Sequence, residues 1–213
     1  NGLLAMEKRS IQITSGRGPR ECEWVVAKTL AFFLAYARGN GIETKILDQQ
    51  TGKSKQELLS VTVELSGRNA GKIIQPWLGT VQWIGQSPFR KNHKRKNWFI
   101  GFFELKKQEL IEFNEKEVVF QSMRSSGAGG QHVNKVSSAV RAIHGPTGIQ
   151  VVSMDSRSQL QNKKLALSRL KQKLLEVNQG TMNNETMDKW SNHLELERGN
   201  PVKVFVGDRF KLK

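Results

Sequence analysis

Arg124-Ser125-Ser126-Gly127-Ala128-Gly129-Gly130-Gln131-His132-Val133-Asn134 is the stretch on which the reading of this chain turns. It places three glycines just ahead of one neutral amide side chain. Glycine runs let the backbone approach a ligand in conformations that other residues avoid. The stretch lies inside a longer segment, Val118 to Met154, that contains no aspartate or glutamate but carries Arg124, Lys135 and Arg141. A carboxylate-free, cationic segment around a glycine-rich tip suits a polyanion, and points to main chain delivered into RNA. On one side the tip is preceded by strand-like Val118 to Met123. On the other, Ala139 to His144 and Ile149 to Ser153 flank the turn Gly145-Pro146-Thr147-Gly148 and predict a hairpin.

Beyond the hairpin, Ser156 is positioned to cap a long helix. Leu160, Leu167, Leu170, Leu174 and Val177 form its expected apolar stripe, read as core packing rather than a binding surface. Its other positions include Arg157, Lys163, Lys164, Arg169, Lys171 and Lys173, and no acid falls between Arg157 and Leu175. A merely solvated helix usually mixes the two signs.

In the first half, Ser10 to Thr14 alternates like a strand, and Gly16-Arg17-Gly18-Pro19 interrupts it. Pro19 suits a helix start, Glu21 and Glu23 complement the positive end, and Gly39 is the expected stop. Trp24, Ala27, Ala31 and Leu34 are read as the inner face of this helix. Ile42 to Leu47 and Leu58 to Leu65 are predicted strands separated by Thr51-Gly52-Lys53-Ser54. Val81, Trp83 and Ile84 predict another before Ser87-Pro88-Phe89, and Trp98 to Leu105 a fifth. Lys106 to Glu117 is the candidate junction, and Pro201 to Phe205 a last strand. The fold class is α+β: a sheet-plus-helix domain and a protruding domain built from hairpin, glycine loop and basic helix. The expected division is 1–112, 113–180 and a C-terminal segment, 181–213, returning to the first domain.

The formal charge of the 213-residue chain is +15, which bears on partners rather than fold: nucleic acid, an anionic membrane or an acidic protein. The longest apolar run, Leu30 to Ala37, is far short of the roughly 20 residues of a spanning helix. No secretory pattern opens the chain, so a cytoplasmic location is expected. Met6 is one candidate for the natural start, with Asn1 to Ala5 then a cloning remnant. The single cysteine, Cys22, excludes an internal disulfide and a thiolate zinc cluster; neither a metal nor any other cofactor is expected.

The residues from Arg124 to Val140 closely resemble the signature of class I peptide chain release factors and related ribosome-rescue factors. The similarity continues through His144-x-Pro146-Thr147-Gly148-Ile149 and Asp155-x-Arg157-Ser158-Gln159-x-x-Asn162-Lys163. The resemblance implies that Gly129, Gly130 and Gln131 enter the peptidyl transferase centre and promote hydrolysis of the ester joining nascent peptide to tRNA. The protein would then be no stand-alone enzyme, and its partners would be the ribosome, through 23S and 16S rRNA, and peptidyl-tRNA. The loop itself offers no carboxylate or thiol as nucleophile or paired acid and base. His132 is the sole nearby titratable group, and a loop-positioning role suits it better than that of a base. What remains is a backbone N–H aimed where negative charge develops. By resemblance that donor is the N–H of Gln131, whose side chain is also a target for a glutamine methyltransferase. Arg124, Lys135, Arg157, Lys163 and Lys164 are assigned to rRNA phosphates, a sequence-independent role.

Ser87-Pro88-Phe89 resembles the tripeptide with which one bacterial release factor class reads stop codons. Codon readers follow it with a His-Thr pair, whereas Lys96 and Asn97 stand at the equivalent positions here. Arg90, Lys91, Lys94, Arg95 and Lys96 supply five cations in seven residues, a clamp for rRNA phosphates, with His93 among them. Ser87, Pro88, Phe89 and His93 are therefore assigned to the decoding centre without ordinary codon reading. Trp98 is read as core rather than a base-stacking ring. The compact length and Asn92 to Phe99 resemble the release factor homolog H branch. That branch implies release on ribosomes damaged in the decoding centre and a functional link to an RNA-repair ligase. The helical N-terminal domain of full-length factors is expected to be absent. Lys211-Leu212-Lys213 is too short a tail for rescue on truncated messages. The alternatives are a stop-codon-dependent factor using Ser87-Pro88-Phe89 and a ribosome-binding module without release activity.

Overall fold

The computed structural model describes residues 6–54, 56–106, 109–123 and 138–213. Close contacts group the chain into two units, Asn1–Lys107 with Glu185–Lys213, and Gln108–Asn184. The class is α+β, as expected: the described residues form two sheets and three α-helices.

The larger unit contains β1 (Glu7–Thr14), α1 (Arg20–Gly39), β2 (Glu43–Thr51), β3 (Leu58–Gly67), α2 (Ala70–Ile74), β4 (Gly79–Ile84) and β5 (Asn97–Leu105). Near the C-terminus come β9 (Lys203–Val206) and β10 (Lys211–Leu212), numbered after three strands of the other unit. They form one seven-stranded sheet in the order β10-β9-β4-β5-β1-β3-β2. Neighbours are antiparallel except β4 and β9, which run parallel. Because successive strand residues face opposite sides, Ile11 and Ile13 of β1 enter a core with Val25, Val26, Leu30 and Phe33 of α1. Gln12 and Thr14 are buried too. Their side chains meet the segment 189–193: Gln12 bonds the Lys189 carbonyl and the Asn192 amide, and Thr14 lies 2.8 Å from His193 Nδ1.

The core is dominated by aromatic rings. Phe33 meets Phe102 and Trp77 edge-on, at 4.9 Å and 5.2 Å between centroids, geometries that add about 0.5–1.5 kcal/mol per pair beyond burial. Trp83 and Trp98 are fully enclosed, and each indole N–H finds a carbonyl, of Gly207 and Gly85 respectively. Trp98 is therefore a core residue.

Several boundaries differ from the sequence reading. The inner face of α1 is Cys22, Val25, Val26, Thr29, Leu30, Phe33 and Ala37. Trp24, Ala27 and Leu34 are only half-buried, and Ala31 is exposed. The expected stripe is rotated because Trp24 draws it toward a flank, while the contiguous pair Val25-Val26 marks the centre. The strand placed at Ile42 to Leu47 continues to Thr51, so Thr51 is not in the turn. The five-residue α2 carries too little periodicity to be visible in the sequence.

The smaller unit holds β6 (Val118–Met123), β7 (Ala139–His144) and β8 (Gln150–Ser153), an antiparallel sheet in that order, and most of α3 (Gln159–Leu194). The expected hairpin is β7–β8, with Gly148 at φ +69° closing its turn, a left-handed geometry natural to glycine. The cap of α3 is Ser158 rather than Ser156, its hydroxyl accepting from the Gln161 N–H. The buried stripe is Asn162, Ala166, Leu170 and Leu174, spaced four apart as one helix face requires. Leu160 is 66% exposed and Val177 39% exposed, so neither belongs to it. Val140 and Ala142 of β7 complete this small core.

Candidate nucleic-acid interface

In the larger unit the cationic segment is the connection from β4 to β5. Its two ends are pinned together: the Gly85 N–H donates to the Lys96 carbonyl, and the Trp98 indole to the Gly85 carbonyl. At the heart of the loop is Glu21, in the first turn of α1 and 1% exposed. The Ser87 hydroxyl and Arg90 Nε both donate to Glu21 Oε1 at 2.6 Å. Burial pushes the Glu21 carboxyl up, but the Arg90 and Ser87 hydrogen bonds outweigh it and hold the group below its usual range. The same Ser87 oxygen accepts from the N–H groups of Phe89 and Arg90. A hydroxyl has one proton and two lone pairs, so Ser87 is fully committed within the fold.

The five cations divide into two groups. Arg90 holds Glu21, and Arg95 lies 4.7 Å over the Trp98 ring with its Nε on the Asn97 carbonyl. Lys91, Lys94 and Lys96 are exposed and form no ion pair with any described residue. His93 is folded back, its ring 5.8 Å from Trp98 and its Nδ1 accepting from the Arg95 N–H. Phe89 lies beneath the Arg20 guanidinium, 4.1 Å from its ring centre, while Arg20 grips Glu57 with two hydrogen bonds. A cavity of about 400 Å³ opens beside the loop, lined by Trp24, Trp83, Gln86, Pro88 and Asp208 among others. The sequence signals neither Glu21 nor Asp208 as part of this region: each is distant along the chain from the loop it meets.

In the smaller unit, residues 124–137, with Arg124, Gly129, Gly130, Gln131 and Lys135, lie outside the described residues. The two roots of that stretch are defined. Met123 and Ala139 are paired partners across β6 and β7, so the stretch leaves and returns at adjacent points of one sheet. Arg157, Lys163 and Lys164 are exposed at the start of α3, whose first turn bears no acid, as the positive end of a helix favours for an anionic partner. Lys163 Nζ is 4.5 Å from the Phe120 ring centre. Arg169 instead clamps Asp155 through two bonds of 2.8 and 3.0 Å. That clamp, with the Ser153 hydroxyl, holds the Asp155 carboxyl down at about 2. Cys22 is buried in the larger unit, and burial pushes its thiol up to about 11, which leaves it inert as a nucleophile near neutral pH.

Residues 106–203 match the RF-1 domain model. Over 202 residues the chain is 38% identical to the peptide chain release factor homolog of Escherichia coli, covering 94% of this chain and 97% of that protein. The chain belongs to the class I peptide chain release factor family. Peptide chain release factor 2 of Neisseria meningitidis serogroup C is 32% identical over 206 residues, covering 95% of this chain but 56% of that longer factor. Among solved structures, release factor 2 of Thermus thermophilus aligns with the whole chain and 61% of its own, at 28% identity and a TM-score of 0.49. In this release factor family member no helix among the described residues is long and apolar enough to cross a membrane.

Proposed function

We propose that this family member promotes hydrolysis of peptidyl-tRNA on the ribosome without ordinary stop-codon reading, acting where the decoding centre is damaged. Release is assigned to the backbone N–H of Gln131, presented by Gly129 and Gly130 toward the oxyanion that forms as water attacks the ester. Support comes from the sequence: residues 124–137 contain no thiol and no carboxylate to serve as nucleophile or paired acid and base. Lys163, Lys164 and Arg157 are free to meet rRNA phosphates, as are Lys91, Lys94 and Lys96 in the other unit.

One observation carries the codon-independent part. The Ser87 hydroxyl already makes three hydrogen bonds inside the protein, so reading a base edge requires breaking one of them: the bond to buried Glu21 if it donates, or one from the Phe89 or Arg90 N–H if it accepts. Against it, the Ser87-Pro88-Phe89 tripeptide and the 32% identity to a release factor 2 favour a codon-dependent terminator. Cytoplasmic location, a methyltransferase acting on Gln131 and a functional link to an RNA-repair ligase belong to the same proposal.

The deciding experiment measures peptide release on intact ribosomes and on ribosomes cleaved in the decoding centre, each with a stop codon, a sense codon or no codon. Release on cleaved ribosomes regardless of codon is expected. Release confined to intact ribosomes bearing a stop codon would establish the alternative.

A further inference from the structure

We propose that Asn162 is the positioning residue of the glycine loop, fixing its downstream root to helix α3; this rests on the reading that the loop is the reactive element. Asn162 is 0% exposed and occupies the first position of a stripe whose other members, Ala166, Leu170 and Leu174, are apolar. A carboxamide in such a place costs stability unless its polar atoms are bonded. Here they all are. Nδ2 donates to the Ser138 carbonyl at 2.7 Å and to the Ser156 carbonyl at 2.7 Å. Oδ1 accepts from the Ser156 N–H at 2.9 Å and has the Ser153 hydroxyl 3.4 Å away.

Ser138 is the residue that follows the stretch 124–137 and precedes β7. Asn162 thus ties three segments at one point: the exit of the loop at Ser138, the chain beyond β8 at Ser156 and the first turns of α3. The pairing of Met123 with Ala139 anchors both roots in the sheet, and Asn162 adds a side-chain tie at Ser138, next to the downstream root. Other residues do not reproduce this. Aspartate has no donor for the two carbonyls and would face them with negative charge. Leucine or alanine would leave those carbonyls and the Ser156 N–H unpartnered. Glutamine has the groups but carries an additional methylene into a closed core. A displacement of about 1 Å in a positioned reacting group can cost about 100-fold in rate, so a loosened root is expected to appear in the chemical step.

The test compares Asn162→Asp, Asn162→Ala and Ser153→Ala in single-turnover peptide release, with ribosome concentration varied to separate kcat from half-saturation. Ser153→Ala removes the 2.7 Å bond to Asp155 and the 3.4 Å contact with Asn162 Oδ1 but leaves the bonds from Asn162 Nδ2 to the Ser138 and Ser156 carbonyls. The Asn162 variants are expected to lose about 10- to 100-fold in kcat, with half-saturation within about twofold. Ser153→Ala should retain kcat even where its thermal midpoint falls as far. Should Asn162→Asp not fold, Asn162→Ala carries the comparison. Unchanged kcat in the Asn162 variants, or an equal loss in Ser153→Ala at equal stability, overturns the proposal. A second readout needs no ribosome: trypsin cleavage after Lys135 should accelerate in the Asn162 variants. No release by the wild-type protein would sink the release reading, whereas unaltered cleavage at Lys135 would sink the tether.

Discussion

The two cationic regions are stabilised by opposite means. Around the β4–β5 loop, arginines turn inward: Arg90 and Arg95 of the loop onto Glu21 and Trp98, and Arg20 of α1 onto Phe89 and Glu57. In the smaller unit, neutral groups hold the backbone, chiefly Asn162 with Ser156 and Ser138, while Arg157 and Lys164 are exposed and Lys163, though exposed, lies over the Phe120 ring. The difference follows from side-chain chemistry. A planar, permanently charged guanidinium can bond a carboxylate and cover a ring at once, whereas a lysine ammonium is compact and strongly hydrated. Within the β4–β5 loop the run of positive charge therefore divides by residue type, with Arg90 and Arg95 engaged inside the fold and Lys91, Lys94 and Lys96 exposed.

The largest expected effect breaks the smaller unit's side of the comparison. Gln131→Pro, which deletes the N–H, should lower release by about 100- to 1,000-fold or more, the scale of losing an oxyanion donor, with Gln131→Ala milder. Rapid-quench release kinetics would read this, and wild-type rates for Gln131→Pro would remove the mechanism.

Next comes the inward-facing scaffold. Glu21→Ala should destabilise the larger unit by about 1–3 kcal/mol, because two hydrogen bonds to a charged group vanish, while Arg90 at the half-exposed rim can turn to solvent. Chemical denaturation would register it. A shift below about 0.5 kcal/mol, the scale of ordinary surface changes, would mean that Glu21 does not organise the loop. Because its carboxyl is held below the usual range, the Glu21 contribution is complete above the unfolded value. It fades as pH falls through the lower folded one.

The lysines should behave differently from the arginines. Replacing Lys91, Lys94 and Lys96 together by alanine should leave thermal stability within about 0.5 kcal/mol. It should reduce the salt dependence of ribosome binding by up to about one slope unit for each phosphate that a replaced lysine would have neutralised. Arg95→Ala should show the reverse order, with stability affected more than the salt slope. Equal salt slopes for the triple-lysine variant and the wild type would erase the proposed division.

The smallest effect is a titration. Asp155 starts from an ordinary value of 3.8 and is held at about 2 by Arg169 and Ser153. A depressed folded value means that its contribution is present above 3.8 and is lost as pH falls toward 2. Carboxyl NMR should show Arg169→Ala returning Asp155 toward 3.8 with the rest of the smaller unit unmoved.

Much of this is legible along the chain. The β7–β8 hairpin, the long basic helix and most strands of the larger sheet carry local signals of alternation, glycine turns and charge. The departures come from local ambiguities. Trp24 outweighs Val25 and Val26 in setting the expected helix face, and Leu160 looks like core because leucine usually is. The bond from Asn162 to Ser138 has no local signal beyond the place of Asn162 in the family motif, since the two are 24 positions apart. Likewise Glu21 and Ser87 are separated by 66 positions, and no periodicity connects them.

Sequence alone determined the polyanionic class of partner, the glycine–glutamine loop and the family, because charge and motif are properties of the chain itself. Tertiary structure decided which of the five loop cations are free, that the Ser87 hydroxyl is already occupied, and how Ser138, beside the glycine stretch, is held. Those depend on which distant groups share a buried space, where every polar atom must find a partner before any is left for a ligand.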